Sequence, residues 1–194
     1  MSVLSSDVRT LSREAYIYSY PLVTMEVSRQ QVFNLPTGVR PWFGPANEFH
    51  HLRTFPPADF RAVVRPNFDT LYANAWLDLT NGPDLLHAPD TDDRYYMLPM
   101  LDMWTDVFAT VGSDHRHRRA GPCHRRPRLH RGPARRDAGD YCADPYCWII
   151  GRIQTNGPAD YQAVAAVHDG MKPTAHTQGQ NTSSIPTTTP QRKS

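Results

Sequence analysis

Val8, Leu11, Ala15, Tyr18, Leu22 and Met25 recur at alternating spacings of three and four, the pattern of one helix face turned towards a core. The helix should open near Ser6, a good N-cap, and kink or break into two helices at Pro21. Prolines and glycines then crowd the chain from Asn34 to Pro57, predicting a long irregular connection that carries Phe33, Trp42, Phe43 and Phe49. Connections of this length inside a compact domain are often functional. "RAVVRP" reads as a short strand and "TLYANAWLDL" as a longer one, with Leu71, Ala73, Ala75 and Leu77 alternating against Tyr72, Asn74, Trp76 and Asp78. "NGPD" is a turn, and "RYYMLPML" is a β-run with Pro99 at a bulge or an edge. "YCWIIGR" reads as a buried strand. "GPADYQAVAAVHDG" reads as a short helix with Pro158 in its first turn and Gly170 beyond its end.

These elements sum to an α+β fold: N-terminal helices packed on a mainly antiparallel sheet. The domain spans residues 1–172, and the polar Thr-, Ser- and Pro-rich residues 173–194 are expected to be a disordered tail.

The formal net charge of +2 hides an uneven distribution. Residues 114–136 hold nine of the 19 arginines and one acid, which leaves 12 bases and 18 acids elsewhere. An acidic body gives no reason to expect a nucleic-acid partner. A phosphate-binding arm would flank a domain, whereas this segment interrupts a sheet. No apolar run approaches the ~18 residues of a membrane span, and the N-terminus has no signal-peptide pattern. A cytoplasmic protein without a membrane partner is therefore expected. Cys123, Cys142 and Cys147 make no disulfide framework. With His124 and His130 they offer zinc-ligand types, but no C-x₂-C pair, so no metal site is expected. No GxSxG, phosphate-loop or dinucleotide fingerprint is present, and no cofactor is expected.

Four stretches, "AYIYSYPLVTME", "NEFHHLRTFPPADFRAVVRPNFDTLYANAWLDLTNGPDLLHAP", "RYYMLPMLDMWTDVFATVG" and "PYCWIIGRIQTNGPADYQAVAAVHDGMK", together resemble the bacterial domain of unknown function 1254. The resemblance covers roughly residues 14–112 and 145–172, and "RPNFDTLYANAWLDL" with "LPMLDMWTDVF" is its specific part. It implies an α+β N-terminal domain, usually leading into a β-rich partner, the domain of unknown function 1214. It implies no reaction. Relative to that pattern the chain looks truncated, and the fold incomplete.

Between Gly112 and Pro145 the resemblance vanishes and then resumes. With GC-rich codons chosen for "DHRHRRA", the second-base frame encodes Thr-Thr-Gly-Thr-Gly-Ala. "RDAGDYCADP" treated alike gives Gly-Thr-Pro-Ala-Thr-Thr-Ala-Pro-Thr-Pro. Both resemble what the family carries there. Residues 113–144 are accordingly read as an out-of-family insert, bracketed by compensating frameshifts. Asp114 to Arg136 should form an exposed, irregular segment, since Leu129 is its one large aliphatic residue.

Chemistry-capable residues gather elsewhere. "PNFDTLY" supplies Asn67, Asp69, Thr70 and Tyr72; "LDMWTD" supplies Asp102, Trp104 and Asp106; "NEFHH" supplies Asn47, His50 and His51. Asp69 and Asp102 are the candidate catalytic carboxylates, able to do acid–base work if one is buried. Asn67, Thr70, Tyr72, Trp104 and His50 are the candidate ligand contacts. Adjacent histidines in extended chain face opposite ways, so at most one of His50 and His51 enters a shared site. The competing structural reading is that Asn and Asp before a strand accept backbone hydrogen bonds in a turn, with Asp69 and Thr70 forming it. Three functions stay open. The first is binding of a small, polar, carbohydrate-like ligand in a cleft shared with a further domain. The second is a hydrolase or lyase with paired carboxylates, and the third is a structural or assembly module. A homo-oligomer is compatible with each.

Overall fold

The computed structural model describes residues 2–36, 40, 42–61, 65–113, 122–125, 140–142 and 144–175. Its elements in chain order are α1 (Ser2–Asn34), β1 (Phe49–His51), β2 (Thr70–Asp78), β3 (Asp84–His87), β4 (Tyr96–Leu101), β5 (Val107–Gly112), β6 (Pro122–Arg125), β7 (Asp140–Cys142) and β8 (Tyr146–Gln154). A 3₁₀ turn at Pro158–Asp160 then leads into α2 (Tyr161–Gly170), and β9 (Lys172–Ala175) follows. One sheet has the order β1-β2-β8-β4-β5 and a second has the order β7-β6-β3-β9. All pairs are antiparallel except β6 with β7. The α+β expectation holds.

Alternation explains how the five-stranded sheet divides its residues. In β2, Leu71, Ala73, Ala75 and Leu77 are buried on one face; in β8, Cys147, Ile149 and Ile153 join them. Leu98 and Met100 of β4, Leu86 of β3, and Val164 and Val167 of α2 complete this core. Gly151 lets β8 approach closely, because a Cβ there would meet the Ala73 carbonyl at 2.7 Å. The opposite face carries a smaller cluster in which Met25 and Val32 of α1 pack with Phe43, Trp76 and Met103.

Several local expectations are corrected. Helix α1 runs unbroken through Pro21. Proline withdraws its own N–H and crowds the carbonyl four residues back. That residue, Ile17, is exposed, so water can serve the freed carbonyl. The predicted core stripe is buried only towards the C-terminal end of α1: Val8, Leu11 and Tyr18 are 61%, 63% and 70% exposed, whereas Met25 is 3% exposed. Leu22, Met25, Val32 and Phe33 are the α1 residues that reach the sheet's apolar side chains. Tyr16, Tyr20, Val23 and Val27 form a second apolar stripe, and it too is exposed.

Pro99 sits in a central strand, not at an edge. The β4–β8 ladder lapses at Leu98 and Pro99, between the Met97–Arg152 and Met100–Ile149 pairs, and the β4–β5 register shifts between Met100 and Leu101. The missing N–H of proline therefore falls in a gap of the ladder. The 34–57 connection contains β1, and the start of the presumed tail is strand β9 on β3. Within the Arg-rich segment Pro122–Arg125 is a strand between β3 and β7, where irregular chain was expected. Main-chain pairing does not require apolar side chains, which is why composition did not signal it. The rest of Asp114–Arg136 lies outside the described residues, as do residues 62–64 of the strand expected in "RAVVRP" and residues 176–194. Among the described residues no helix is long and apolar enough to cross a membrane.

Candidate functional site

The register between β2 and β8 builds a floor. Tyr72 lies opposite Arg152, Asn74 opposite Ile150 and Trp76 opposite Trp148, all on the face turned away from the main core. The two indoles are stacked, with centroids 5.5 Å apart and planes within 4°. The Arg152 guanidinium lies over the Tyr72 ring at 5.9 Å. Over this floor closes the chain between α1 and β2, which contributes Arg40, Trp42, Phe43, His50, Phe60 and Arg65, while Ser28, Gln31 and Val32 of α1 form one side. The half-open cavity has a volume of about 420 Å³, within the range of small-molecule sites.

Several contacts hold the connection in place. Asn47, in the left-handed region at φ 61°, donates from its side-chain amide to the Asp78 carbonyl and accepts from the Asp78 N–H. Trp42 meets Phe60 edge-on at 5.1 Å. His50 pairs with Asn74 across β1 and β2, and its Nε2 donates to the Pro45 carbonyl at 3.1 Å. Gly44 is required beside it, because a Cβ there would overlap the imidazole.

Of the sequence-nominated residues, Tyr72 and His50 line the cavity and the others do not. Asn67 is the turn acceptor: its Oδ1 receives the Thr70 N–H at 2.9 Å and the Thr70 hydroxyl at 2.7 Å. The backbone N–H of Asn67 donates to the Tyr72 hydroxyl, placing this turn beside the cavity. Asp69, expected in that role, is exposed, and its main-chain carbonyl accepts from Thr155. Asp102 accepts the N–H groups of Trp104 and Asp106 through one carboxylate oxygen, and Trp104 packs on Tyr18. The carboxylates of Asp69 and Asp102 are not neighbours. Asp69 adjoins Thr155 just beyond one end of β8, and Asp102 follows Leu101, which pairs with Trp148 near the other. Seven residues of strand separate these points by roughly 23 Å, too far for a shared reaction centre.

His51 faces the opposite side from His50 and stacks on His168 at 4.3 Å. Both imidazole nitrogens of the buried His168 lack a hydrogen-bond partner among the described residues. Burial, helped by the Arg53 charge, pushes the His51 pKa down to about 4. Burial, helped by His51, pushes the His168 pKa down to about 3. Both rings are neutral at pH 7. Cys142 and Cys147 are buried and form no disulfide among the described residues; the side chains of Cys123, His124 and His130 lie outside the described residues.

Residues 46–175 match the family model described as a protein of unknown function, DUF1254. The chain belongs to this family. The matched region includes both strands of the cavity floor, and α1 precedes it. The crystal structure of the VPA0106 protein from Vibrio parahaemolyticus is similar, with a TM-score of 0.60 and 22% identity over 86% of this DUF1254 chain. The chain spans 38% of that protein's length. The likeness is one of fold. No curated protein matches the chain.

Sequence reasoning missed Trp76, Trp148 and Arg152, and Arg40, Phe60 and Arg65 between α1 and β2. Part of the signal was present: Tyr72, Asn74 and Trp76 alternate in β2, and Trp148, Ile150 and Arg152 alternate in β8.

Proposed function

We propose that this DUF1254 chain binds a small organic molecule in the cavity over β2 and β8. The observation that carries the reading is the stacked Trp76–Trp148 pair in the floor of an aromatic-walled, partly polar cavity. Large flat apolar surfaces inside a cavity bury ligand area with little loss of side-chain freedom. The Asn74 amide has no hydrogen-bond partner among the described residues, so it can orient a ligand without breaking an existing bond. A sugar ring would use the same platform. The paired-carboxylate hydrolase or lyase draws no support from the separation of Asp69 and Asp102, and among the described residues no Asp or Glu lines the cavity.

The test is isothermal titration of the full chain with 2-naphthol and 2-naphthoate, repeated on Trp148→Ala. Saturable binding of at least one probe, weakened in the variant, supports the reading. Absence of binding by both, or binding untouched by Trp148→Ala, overturns it.

A further inference from the structure

Resting on the cavity reading, we infer that the ligand is an organic anion: a carboxylate or phosphate group carried on a flat apolar body. The evidence is the distribution of charge. Outside residues 114–136 acids outnumber bases, 18 to 12. Yet among the described residues the cavity is lined by three arginines, Arg40, Arg65 and Arg152, and by no acid.

The pairing of these arginines separates them from most others. Arg29 is paired with Glu26, Arg53 with Asp169 and Arg94 with Asp160, and Arg61 donates to the carbonyls of Ala58 and Phe60. Arg40, Arg65 and Arg152 make no hydrogen bond or ion pair among the described residues. Arg9 and Arg13 are also unpaired, but they stand on the exposed first half of α1. Among the described side chains, every unpaired guanidinium outside α1 thus borders one cavity.

Two of the three lie over rings: Arg40 over Phe43 at 5.4 Å and Arg152 over Tyr72 at 5.9 Å. A guanidinium held by its face keeps its in-plane N–H groups free for an acceptor. Those planar donors match the two oxygens of a carboxylate or a phosphate. The half-buried Trp148 indole, backed by the buried Trp76, offers the matching surface for a ring. A neutral sugar would leave these charged donors to water, whereas an anion would pair with them.

The experiment compares three probes with one body: 2-naphthoate, 2-naphthyl phosphate and 2-naphthamide, titrated into the full chain and into Arg152→Gln, Arg65→Gln and Trp148→Ala. Circular dichroism checks that each variant is folded. Arg152 and Arg65 are both exposed, and either variant suffices if the other misfolds. At least one anion should bind about tenfold or more tighter than the amide, with the preference reduced in the arginine variants. The tighter anion identifies the head group. Equal binding of all three probes, lost in Trp148→Ala, would overturn the anion assignment and leave the cavity reading standing. Binding of none would overturn both.

Discussion

Trp76 and Trp148 face each other across β2 and β8, with indole planes within 4° of parallel and centroids 5.5 Å apart. The pair serves two structures at once. Trp76 is buried against Met25 and Val32 of α1, and Trp148 borders the same cluster while forming cavity floor. Trp76→Ala should therefore cost about 3–5 kcal/mol, the usual range for a buried aromatic, measured by urea unfolding. A loss below 1 kcal/mol would mean that α1 does not rest on this ring.

The two ends of α1 should respond differently to substitution. Met25→Ala removes a buried side chain and should cost about 2–4 kcal/mol. Ile17→Lys and Tyr20→Ser alter exposed positions and should stay within about 0.5 kcal/mol. Thermal melts of the three variants check this. Comparable losses in all three would show that the N-terminal turns are packed as tightly as the rest.

That asymmetry also marks where the sequence was readable. The 3-and-4 stripe correctly announced a helix, but periodicity reports an amphipathic face and not what covers it, so Val8 and Leu11 were misplaced in a core. Strands β2 and β8 were legible because one face of each is deeply buried, which forces alternation. Strands β6 and β9 were not, since they rest on main-chain bonds to β3 that leave little trace in side-chain pattern. His50 was separable from His51 by strand geometry alone. Arg65 and Arg152 were invisible as a pair because they lie far apart in sequence and reach one cavity only through the fold. Asp69 and Asp102 show the converse: residue types suited to one reaction, held at opposite ends of a strand.

Acid should destabilise the fold through the His51–His168 stack. Each histidine titrates near 6.5 when unfolded, but folded His51 is pushed to about 4 and His168 to about 3 by burial. The unfolded chain thus binds more protons below pH 6.5, and stability present above that value falls as pH drops through the window. Asp84 acts with the opposite sign. Burial, and secondarily Asp78, raises its pKa to about 6, so the folded chain takes up this proton first and offsets part of the loss. The histidines are two groups with the larger shifts, and the net direction is loss. His168→Leu should flatten the decline between pH 7.5 and pH 5 in urea midpoints. An unchanged decline would place its origin elsewhere.

Gly44→Ala should disturb the cavity without disturbing the main core, because the added methyl overlaps the His50 ring. The expected result is a displaced His50 ring resonance and weaker probe binding, with the Trp76 environment retained. An unaltered His50 signal would show that the loop absorbs the methyl.

The chain has four tryptophans, and they make a direct test of where a ligand sits. Trp42, Trp76 and Trp148 line the cavity, whereas Trp104 packs against Tyr18 outside it. In a two-dimensional ¹H–¹⁵N spectrum each indole N–H gives its own signal, assigned by single substitution to Phe. Titration with 2-naphthoate should shift the Trp42, Trp76 and Trp148 signals along one saturating curve and leave Trp104 in place. A saturating shift of Trp104 alone, or no saturable shift at any of the four, would contradict ligand binding in this cavity.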